Sequence, residues 1–363
     1  MIRADIRFEP SKAEAFELIT KVRAHDVMES PSCNLSWFSS WLNALDKAPS
    51  IVVFSRKEEP IGFVFLGLIV KALFLGKWTQ GYINQAGDFE SDQVWIEYNH
   101  IVCSDKYERD CVIALLALAD SLGINELNIS LAKNTDIWAS ILKRKWFLEA
   151  TPSFGAKVNL KLISDELSYV SKNSRYQINR SLRTIEKKFG KISIKVVCDF
   201  AEIQEYLDVL AGFHVMRWKQ SEFGSGFENH IFVNHLSNLV TMYPDRAELV
   251  AVYSGNMIVG VSLNLILQNR VAFYCSGINY DIADNKIKPG YILHSQVIKY
   301  YKSIGKTEYD FLAGYARYKK SLATDIYHLN TIRLTKRNLR GTIVYLLRNA
   351  KQLFLKLKQK TNE

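Results

Sequence analysis

The chain has 363 residues, of which 48% are apolar, and its 47 lysines and arginines against 37 acidic residues give a net charge of +10. Charged residues at 23%, with 18 glycines and 7 prolines, are ordinary globular usage and exclude a disordered, collagenous or coiled-coil chain. At roughly 150 residues per domain, this length predicts about two domains, each long enough to bury a core.

The cysteines and the apolar runs indicate the compartment. Five cysteines are an odd number, and they show neither a Cys-x-x-Cys pair nor Cys/His spacing, so we expect reduced, buried thiols and no metal site. Residues 1–5 carry charges where a signal peptide needs an apolar stretch. The longest apolar run, 61–70, is well short of the ~20 residues of a membrane-spanning helix. We therefore expect a cytoplasmic protein.

The order of predicted elements occurs twice along the chain. Each half predicts a hairpin and a third strand, at residues 51–54, 61–70 and 72–75, and again at 249–253, 258–263 and 271–275. A helix follows in each half and ends at Gly123 or Gly305, which suits a left-handed C-cap before the next strand. These two endings lie 182 residues apart and predict tandem copies of one mixed α/β domain.

A boundary is predicted near residues 150–165. Residues 150–153 read Ala-Thr-Pro-Ser, which is turn chemistry, and residues 164–166 read Ser-Asp-Glu, which favours the start of a new helix. We therefore divide the chain into domains at 1–155 and 156–335, followed by a basic C-terminal helix at 336–363.

A hairpin, a third strand, a helix and a parallel fourth strand resemble the GNAT acyltransferase fold. More narrowly, the chain resembles the duplicated branch that holds the FemAB-type aminoacyltransferases and the CelD/BcsL-type acetyltransferases associated with exopolysaccharide synthesis. The matching segments are 171–183, 213–218, 288–293, 309–314 and 318–319. Over residues 1–150 only the strand order supports the resemblance. It implies an α/β fold of the α+β type with a mixed sheet, built from tandem GNAT-like domains, and it implies acyl transfer.

A donor site is predicted at the helix that opens with Pro289 and Gly290. Proline in the first turn and glycine beside it leave backbone N–H groups with little side-chain obstruction, so phosphate oxygens can approach. In GNAT proteins the acyl-CoA pyrophosphate lies there, and the resemblance therefore implies donor contacts at Lys288, Pro289, Gly290, Tyr291 and Ile292. A plain helix start is the alternative reading.

The identity of the donor stays open between two classes. Acyl-CoA, with acetyl-CoA first, is the expected donor. The usual glycine-rich loop is reduced here to one glycine, which leaves aminoacyl-tRNA as the alternative. The corresponding segment of the first half, 104–110, carries acidic side chains that would repel a pyrophosphate. We therefore expect the first half to shape the cleft or hold the acceptor.

Asp310 and Lys319 are the candidate catalytic residues. A period-two strand would bury Tyr309 and Phe311 and turn Asp310 to the other face, at a carboxyl end where it could take a proton from an amine. Its alternative role is to anchor a loop through backbone N–H groups. Lys319 resembles the FemAB-type lysine that faces the donor phosphate or the reacting carbonyl. Its alternative is an ordinary exposed lysine.

Further candidates would bind substrate. A helix over 167–189 has one apolar stripe, and its remaining faces are basic, so it either captures phosphates or is solvated. The residue at 214 is a packing residue or a base, and the tryptophan at 218 is buried or stacks on a ring. The substrate-binding candidates are Arg175, Arg180, Arg183, His214, Arg217, Trp218 and Tyr318.

Residues 336–360 predict a basic amphipathic helix without an acidic residue. Such a helix lies on the anionic inner face of a membrane, or it docks on the protein through its apolar stripe, 343–357. Taken together, we expect an N-acyltransferase for an amine of a cell-envelope or exopolysaccharide precursor, with a small-molecule or lipid-linked sugar as acceptor. The alternatives are an aminoacyl-tRNA-dependent transferase and a non-catalytic RNA-binding, lipid-binding or scaffolding module.

Overall fold

The computed structural model describes residues 2–23, 29–74, 76–142, 145–163, 167–221 and 224–360. Within these ranges the chain forms one mixed sheet of 13 strands with helices on both faces. The strands are β1 (Arg3–Arg7), β2 (Ser50–Arg56), β3 (Glu59–Leu73), β4 (Gly76–Ile83), β5 (Val102–Cys103), β6 (Glu126–Ala132), β7 (Trp146–Asn159), β8 (Ile192–Val197), β9 (Ala247–Ser254), β10 (Met257–Leu267), β11 (Arg270–Ile278), β12 (Glu308–Ala313) and β13 (Asp325–Lys336).

The helices complete the same succession in both halves. They are α1 (Lys12–Arg23), α2 (Leu35–Ala44), α3 (Phe89–Asp92), α4 (Asp105–Ser121), α5 (Thr135–Ile141), α6 (Lys172–Phe189), α7 (Phe200–Trp218), α8 (His230–Met242), α9 (Pro289–Ser303), α10 (Arg317–Leu322) and α11 (Leu339–Lys360). Strand, two helices, hairpin, third strand, helix, fourth strand, short helix and long last strand recur as β1 to β7 and as β8 to β13. The predicted mixed α/β fold with a duplicated element order is confirmed.

The glycines after α4 and α9 show why the repeat was visible in the sequence. Gly123 and Gly305 have φ of 66° and 81°, in the left-handed region that favours glycine. Each ends its helix and turns the chain into the next strand, β6 or β12.

Two local predictions are wrong. Residues 72–75 do not open a third strand, because β3 continues to Leu73 and the third strand is β4. Residues 150–153 are not a turn, because they lie inside β7. Pro152 fits there since β12 pairs with β7 only at 155–159, and a strand with one open edge accommodates proline. The predicted domain boundary at 155 therefore falls within a strand, and residues 164–166 lie outside the described residues.

The two halves exchange their last strands. Strand β7, which ends the first half, pairs with β12 of the second, and β13, which ends the second half, pairs with β6 of the first. β7 and β13 also pair with each other from end to end as a two-stranded ribbon. Neither half therefore completes its sheet without a strand from the other.

Strands β6 and β12 meet the ribbon from opposite ends. The last residue of β6, Ala132, lies level with Pro152, and the last residue of β12, Ala313, lies beside Gly155. The carboxyl ends of the two strands consequently converge at the middle of the ribbon. Each is parallel to its other neighbour, β4 or β11, over only three residue pairs, so the strands then diverge.

The hydrophobic core is continuous on one face of the sheet and divided on the other. On one face, α1, α2, α7 and α8 from both halves share a single buried cluster. There His235 of α8 lies edge-on against Trp37 of α2, with ring centroids 4.4 Å apart. On the other face, α4 and α5 cover the first half, and α6 and α9 cover the second. The shared core joins the halves through apolar burial as well as through strand pairing.

The C-terminal helix α11 docks on the first half, but not through its predicted stripe. Tyr345 stacks on Phe147 with ring centroids 4.1 Å apart. Arg348 donates to Glu126 at 2.7 Å and to Glu149 at 2.9 Å. The leucines and phenylalanine of the predicted stripe are exposed instead, at Leu346, Leu347, Leu353 and Phe354. Docking through that stripe is therefore wrong.

Two further expectations concern membrane-spanning helices and the burial of the cysteines. None of the helices in the described ranges combines the length and the apolar composition that crossing a bilayer demands. All five cysteines are free. Three of them are buried as expected, whereas Cys198 is exposed and Cys275 is half-buried.

Arg348 should be essential for stability. Its partner Glu126 is 1% exposed. Arg348→Met leaves that buried carboxylate with the neutral amide of Gln80 at 2.7 Å and with a longer contact to Arg333 at 3.4 Å. We expect the free energy of unfolding to fall by about 3 kcal/mol, as when one member of a buried ion pair is removed. Urea denaturation measures this, with Lys351→Met on the exposed side of α11 as the control. Equal midpoints for the two variants would contradict the assignment.

Candidate active site

A cavity of about 330 Å³ lies where the carboxyl ends of β6 and β12 converge. Its floor is the β7·β13 ribbon, at Ser153 and Thr331, and its wall is the segment between β4 and β5. Leu131 and Leu312 at the two strand ends have φ of 44° and 60°, and the pairing register shifts beside both. These irregularities turn the strands away from the ribbon and open the space, which we call the central cleft.

Glu97 is the carboxyl group that the first half places in the central cleft. The backbone N–H of Ala313, from the second half, donates to its Oε2 at 2.6 Å. The main chain of Glu97 is fixed on both sides by the hydroxyl of Ser32. The side chain is 9% exposed, and burial raises the pKa of Glu97 while the charge of Lys319 partly opposes that rise. Glu97 can therefore take up a proton near neutral pH.

Lys319 lies in the same cluster and is not the exposed lysine of the alternative reading. It is 8% exposed, and its Nζ donates to the carbonyls of Ala313 at 2.8 Å and Leu312 at 3.5 Å. Burial lowers the pKa of Lys319, and the negative charges of Glu97 and Asp310 oppose that change. Lys319 is therefore near enough to both carboxylates for their charges to act on it.

Asp310 does not line the central cleft. Its carboxylate accepts hydrogen bonds from the hydroxyls of Tyr98 and Tyr327 and from the N–H of Leu312 at 2.8 Å. It lines a smaller cavity of about 110 Å³ together with Tyr98. Burial raises the pKa of Asp310, and these three donors counteract it. Its contacts match the anchoring role, since it holds the turn after β12 and fixes Tyr98, whose φ is 52°.

Asp92 and Trp95 complete the wall of the central cleft. Asp92 accepts the N–H groups of Ala86 at 2.7 Å and Gly87 at 2.8 Å, which closes the loop after β4. Burial raises the pKa of Asp92 to about 7. Trp95 presents its ring to the cleft and to solvent, with 58% of the residue exposed. The sequence reasoning missed both residues as well as Glu97. The available signal was an acidic side chain inside an otherwise aromatic and apolar run, 94–98.

The predicted donor segment begins α9 and is held by α6. Ser181 accepts the N–H of Lys288 at 3.2 Å, and Arg180 donates to the carbonyl of Asn285 at 2.7 Å. A Cβ on Gly290 would meet only Ile278, at 3.6 Å, so the approach to its backbone is open. The loop before α9 is thus clamped in place while its surface at Gly290 stays accessible.

The N–H groups of this segment are not equally available. Tyr291 and Ile292 both donate to the carbonyl of Lys288, at 3.1 and 3.2 Å, and Pro289 has no N–H. Of the five predicted donor residues, Gly290 therefore offers the helix-start N–H to a phosphate. The side chain of Ile292 is fully buried in the core, so a donor contact through that side chain is excluded.

Tyr318 lies beside the donor segment. Its ring stacks on His294, one turn after Gly290 in α9, with centroids 4.6 Å apart. Phe273 and Phe311 meet the same imidazole edge-on at 4.7 and 5.4 Å. Burial lowers the pKa of His294 to about 3, so the ring is neutral. These four rings pack together at the core of the second half.

The remaining candidates lie on the second half away from the central cleft. His214 lies 2.7 Å from the hydroxyl of Ser225, and burial lowers its pKa to about 4, which matches a packing role. Arg217 lies over the rings of Trp218 and Tyr280, with its guanidinium 6.0 and 5.4 Å from their centroids. Trp218 is 46% exposed and so available for stacking.

The arginines of α6 have different surroundings. The guanidinium of Arg175 donates to the carbonyls of Leu167 and Ser168, both at 3.1 Å, and Arg180 holds the loop before α9. Arg183 is exposed. Capture of an anion by all three together would therefore require Arg175 and Arg180 to leave these carbonyls. Within the described ranges, no cluster of three or more His, Cys, Asp or Glu side chains is placed to hold a metal ion.

Comparison with known proteins finds a family match within the second half and structural matches over almost the whole chain. Residues 172–320 match the model of the acetyltransferase (GNAT) domain family. A comparison with curated protein sequences finds no match.

Solved structures match almost the whole chain. The alignment with FemX covers 94% of this chain and 99% of the FemX chain, at 10% sequence identity and a TM-score of 0.57. L-PGS from Bacillus licheniformis covers 95% and 98%, at 12% identity and 0.55. A conserved protein from Bacteroides thetaiotaomicron covers 93% and 100%, at 14% identity and 0.57. At these identities the likeness establishes a shared fold across both halves.

Ionisation of Glu97 should make stability depend on pH. Because its pKa in the folded protein lies above the ordinary 4.5, the folded state retains a proton that the unfolded chain has released. The free energy of unfolding should therefore fall as pH rises from about 5 to 7, by up to about 1.4 kcal/mol per pH unit from this group. Urea denaturation across that range should show that the free energy of unfolding falls less steeply with pH for Glu97→Gln than for the wild type. Parallel curves for wild type and variant would refute the shift, and exposed Glu90→Gln is the control.

Proposed function

We propose that this protein, whose residues 172–320 belong to the GNAT acetyltransferase domain family, moves an acyl group from a donor bound at α9 to an amine held in the central cleft. The observation that carries the proposal is Glu97. It is a buried carboxyl with a raised pKa, contributed by one half and hydrogen-bonded to the strand end of the other, in a cleft where the carboxyl ends of β6 and β12 converge.

Glu97 is suited to the proton transfer that this reaction needs. The amine nitrogen forms a bond to the acyl carbonyl carbon, its proton passes to Glu97, and the bond from that carbon to the leaving sulfur or oxygen breaks. The leaving group then takes a proton. A base works best with a pKa near the working pH, and burial of Glu97 moves its pKa in that direction. Lys319 offsets part of the carboxylate charge, so Glu97 can still ionise in a closed site.

The lining of the central cleft supports a hydroxylated acceptor. Besides the two carboxyl groups it presents an exposed indole and small polar side chains, at Trp95, Gln85, Ser130, Ser153 and Thr331. An indole face packs against an apolar ring face, and hydroxyl and amide groups pair with hydroxyls. We therefore propose an amine on a sugar, either a small molecule or the head of a lipid-linked cell-envelope or exopolysaccharide precursor, modified in the cytoplasm.

Acyl-CoA, with acetyl-CoA first, is the proposed donor, and aminoacyl-tRNA is the second candidate. Both donors would place a phosphate at the start of α9, where Gly290 supplies the helix-start N–H that the hydrogen bonds of Tyr291 and Ile292 leave open. The observation that favours the second is the adjoining helix α6, which exposes cations at Lys172, Arg175, Arg183, Lys187 and Lys188. A tRNA backbone would use such a surface.

Donor binding at Gly290 is testable by thermal shift. A ligand that binds only the folded state stabilises it by about 2.7 kcal/mol at 100 times its dissociation constant. Acetyl-CoA or a longer acyl-CoA should raise the melting temperature of the wild type but not of Gly290→Glu, because the new carboxylate repels the pyrophosphate. Lys106→Glu, at the same position of α4 in the first half, is the matched control and should keep the shift.

The result also separates the two donors. If an acyl-CoA still raises the melting temperature of Gly290→Glu, the donor does not bind at Gly290. If no CoA ester binds and charged tRNA does so with a steep salt dependence, the donor is the tRNA.

The role of Glu97 is testable by kinetics. Glu97→Gln keeps an acceptor for the N–H of Ala313 but cannot take a proton, so kcat should fall by about 10²- to 10⁴-fold. Exposed Glu90→Gln should leave kcat unchanged. Asp310→Asn should act mainly on stability, because the anchoring carboxylate is altered. If Glu97→Gln retains activity while folded Asp310→Asn loses it, Asp310 is the base. If neither variant affects the transfer, the central cleft is not the reaction site.

A further inference from the structure

The two long faces of α11 have opposite surroundings. One face docks on the sheet, with Gly341 against the carbonyl of Lys336, Tyr345 on Phe147, and Arg348 on two carboxylates. These residues repeat at spacings of three to four along the helix. These contacts place one face of α11 against the first half.

The opposite face of α11 is apolar and exposed. Leu346, Leu347, Leu353 and Phe354 are 59%, 55%, 61% and 67% exposed. Their spacings of one, six and one residues place them on a single side of a helix with 3.6 residues per turn. The docking contacts cannot use this side, because it lies across the helix from Tyr345 and Arg348.

Basic residues border this apolar face. Arg340, Lys351 and Lys358 follow one another at spacings of eleven and seven, which keeps them in one row along the helix. No acidic residue occurs between positions 336 and 360. The surface therefore combines exposed leucine and phenylalanine with cations of one sign.

The tip of the β3–β4 hairpin continues the same surface. The guanidinium of Arg340 lies against Gly76, 3.5 Å from the place of a Cβ, so the hairpin adjoins the first turn of α11. Val70 and Phe74 near this tip are 60% and 74% exposed, and Lys71 and Lys77 beside them are exposed as well. A second element, far away in sequence, thus supplies the same pairing of apolar and basic side chains.

We propose that the apolar face of α11 and the β3–β4 tip bind the surface of an anionic lipid bilayer. Leucine and phenylalanine enter the boundary between headgroups and acyl chains, while lysine and arginine meet the anionic headgroups. A bilayer is the occupant that fits this surface, because an apolar face bordered by cations and without acidic residues complements a layer of anionic headgroups above acyl chains. This surface is separate from the central cleft, so the inference does not depend on the proposed transfer reaction.

The test is co-sedimentation of the full chain with vesicles of phosphatidylcholine, with and without phosphatidylglycerol. Binding should need phosphatidylglycerol and weaken as salt rises. The variant Leu347→Gln, Leu353→Gln, Phe354→Gln should lower the partition coefficient about tenfold or more and keep the wild-type melting temperature, because the docking face is intact. The matched control is Phe200→Gln with Met216→Gln, on α7, which changes two residues that are 73% and 64% exposed.

A charge variant tests the second half of the inference. Arg340→Glu with Lys351→Glu should weaken binding, whereas Lys187→Glu with Lys188→Glu on α6, the same change in net charge, should not. Equal sedimentation with and without phosphatidylglycerol overturns the proposal, as does unchanged binding by the triple variant. If the wild type is a dimer without lipid and the triple variant is a monomer, the face is an interface between two copies and the bilayer assignment is wrong.

Discussion

The exchange of last strands is the constraint on which the rest of this structure depends. β7 completes the sheet of the second half and β13 that of the first, and the two strands pair with each other throughout. Because β6 and β12 then approach the ribbon from opposite ends, their carboxyl ends meet in the middle. A cleft at that point has one wall from each half, and neither half alone could build it.

The chemistry of the central cleft follows from the convergence of β6 and β12. Glu97 comes from the first half, and the N–H of Ala313 and the ammonium of Lys319 come from the second. Burial raises the pKa of Glu97 and lowers that of Lys319, and the attraction between their opposite charges opposes part of both shifts. Asp310 stabilises this arrangement without lining the cleft, since its hydrogen bonds with Tyr98 and Tyr327 hold the segment next to Glu97.

The hydrophobic core is arranged differently on the two faces of the sheet. One face has a core shared by four helices from both halves, while the other has a separate core for each half. Over β6 and β7, in the middle of the sheet, α11 docks through a stacked ring and the ion pairs of Arg348. The apolar face of α11 on the opposite side is exposed to solvent. An exposed apolar face of this kind indicates a binding partner.

The sequence by itself determined the elements that depend on neighbouring residues. Turn chemistry and helix-ending glycines located the two hairpins, α4, α9 and the repeat, and the resemblance to a known family pointed to the donor segment and to Lys319. Only the tertiary structure decided that Pro152 lies in an exchanged strand, that Glu97 and not Asp310 faces the cleft, and which side of α11 docks. Each of these depends on pairing between residues more than 150 positions apart, such as Glu97 with Ala313 and Glu126 with Arg348. Local periodicity specifies which residues share a face, but which partner covers that face is fixed only when distant segments compete for burial.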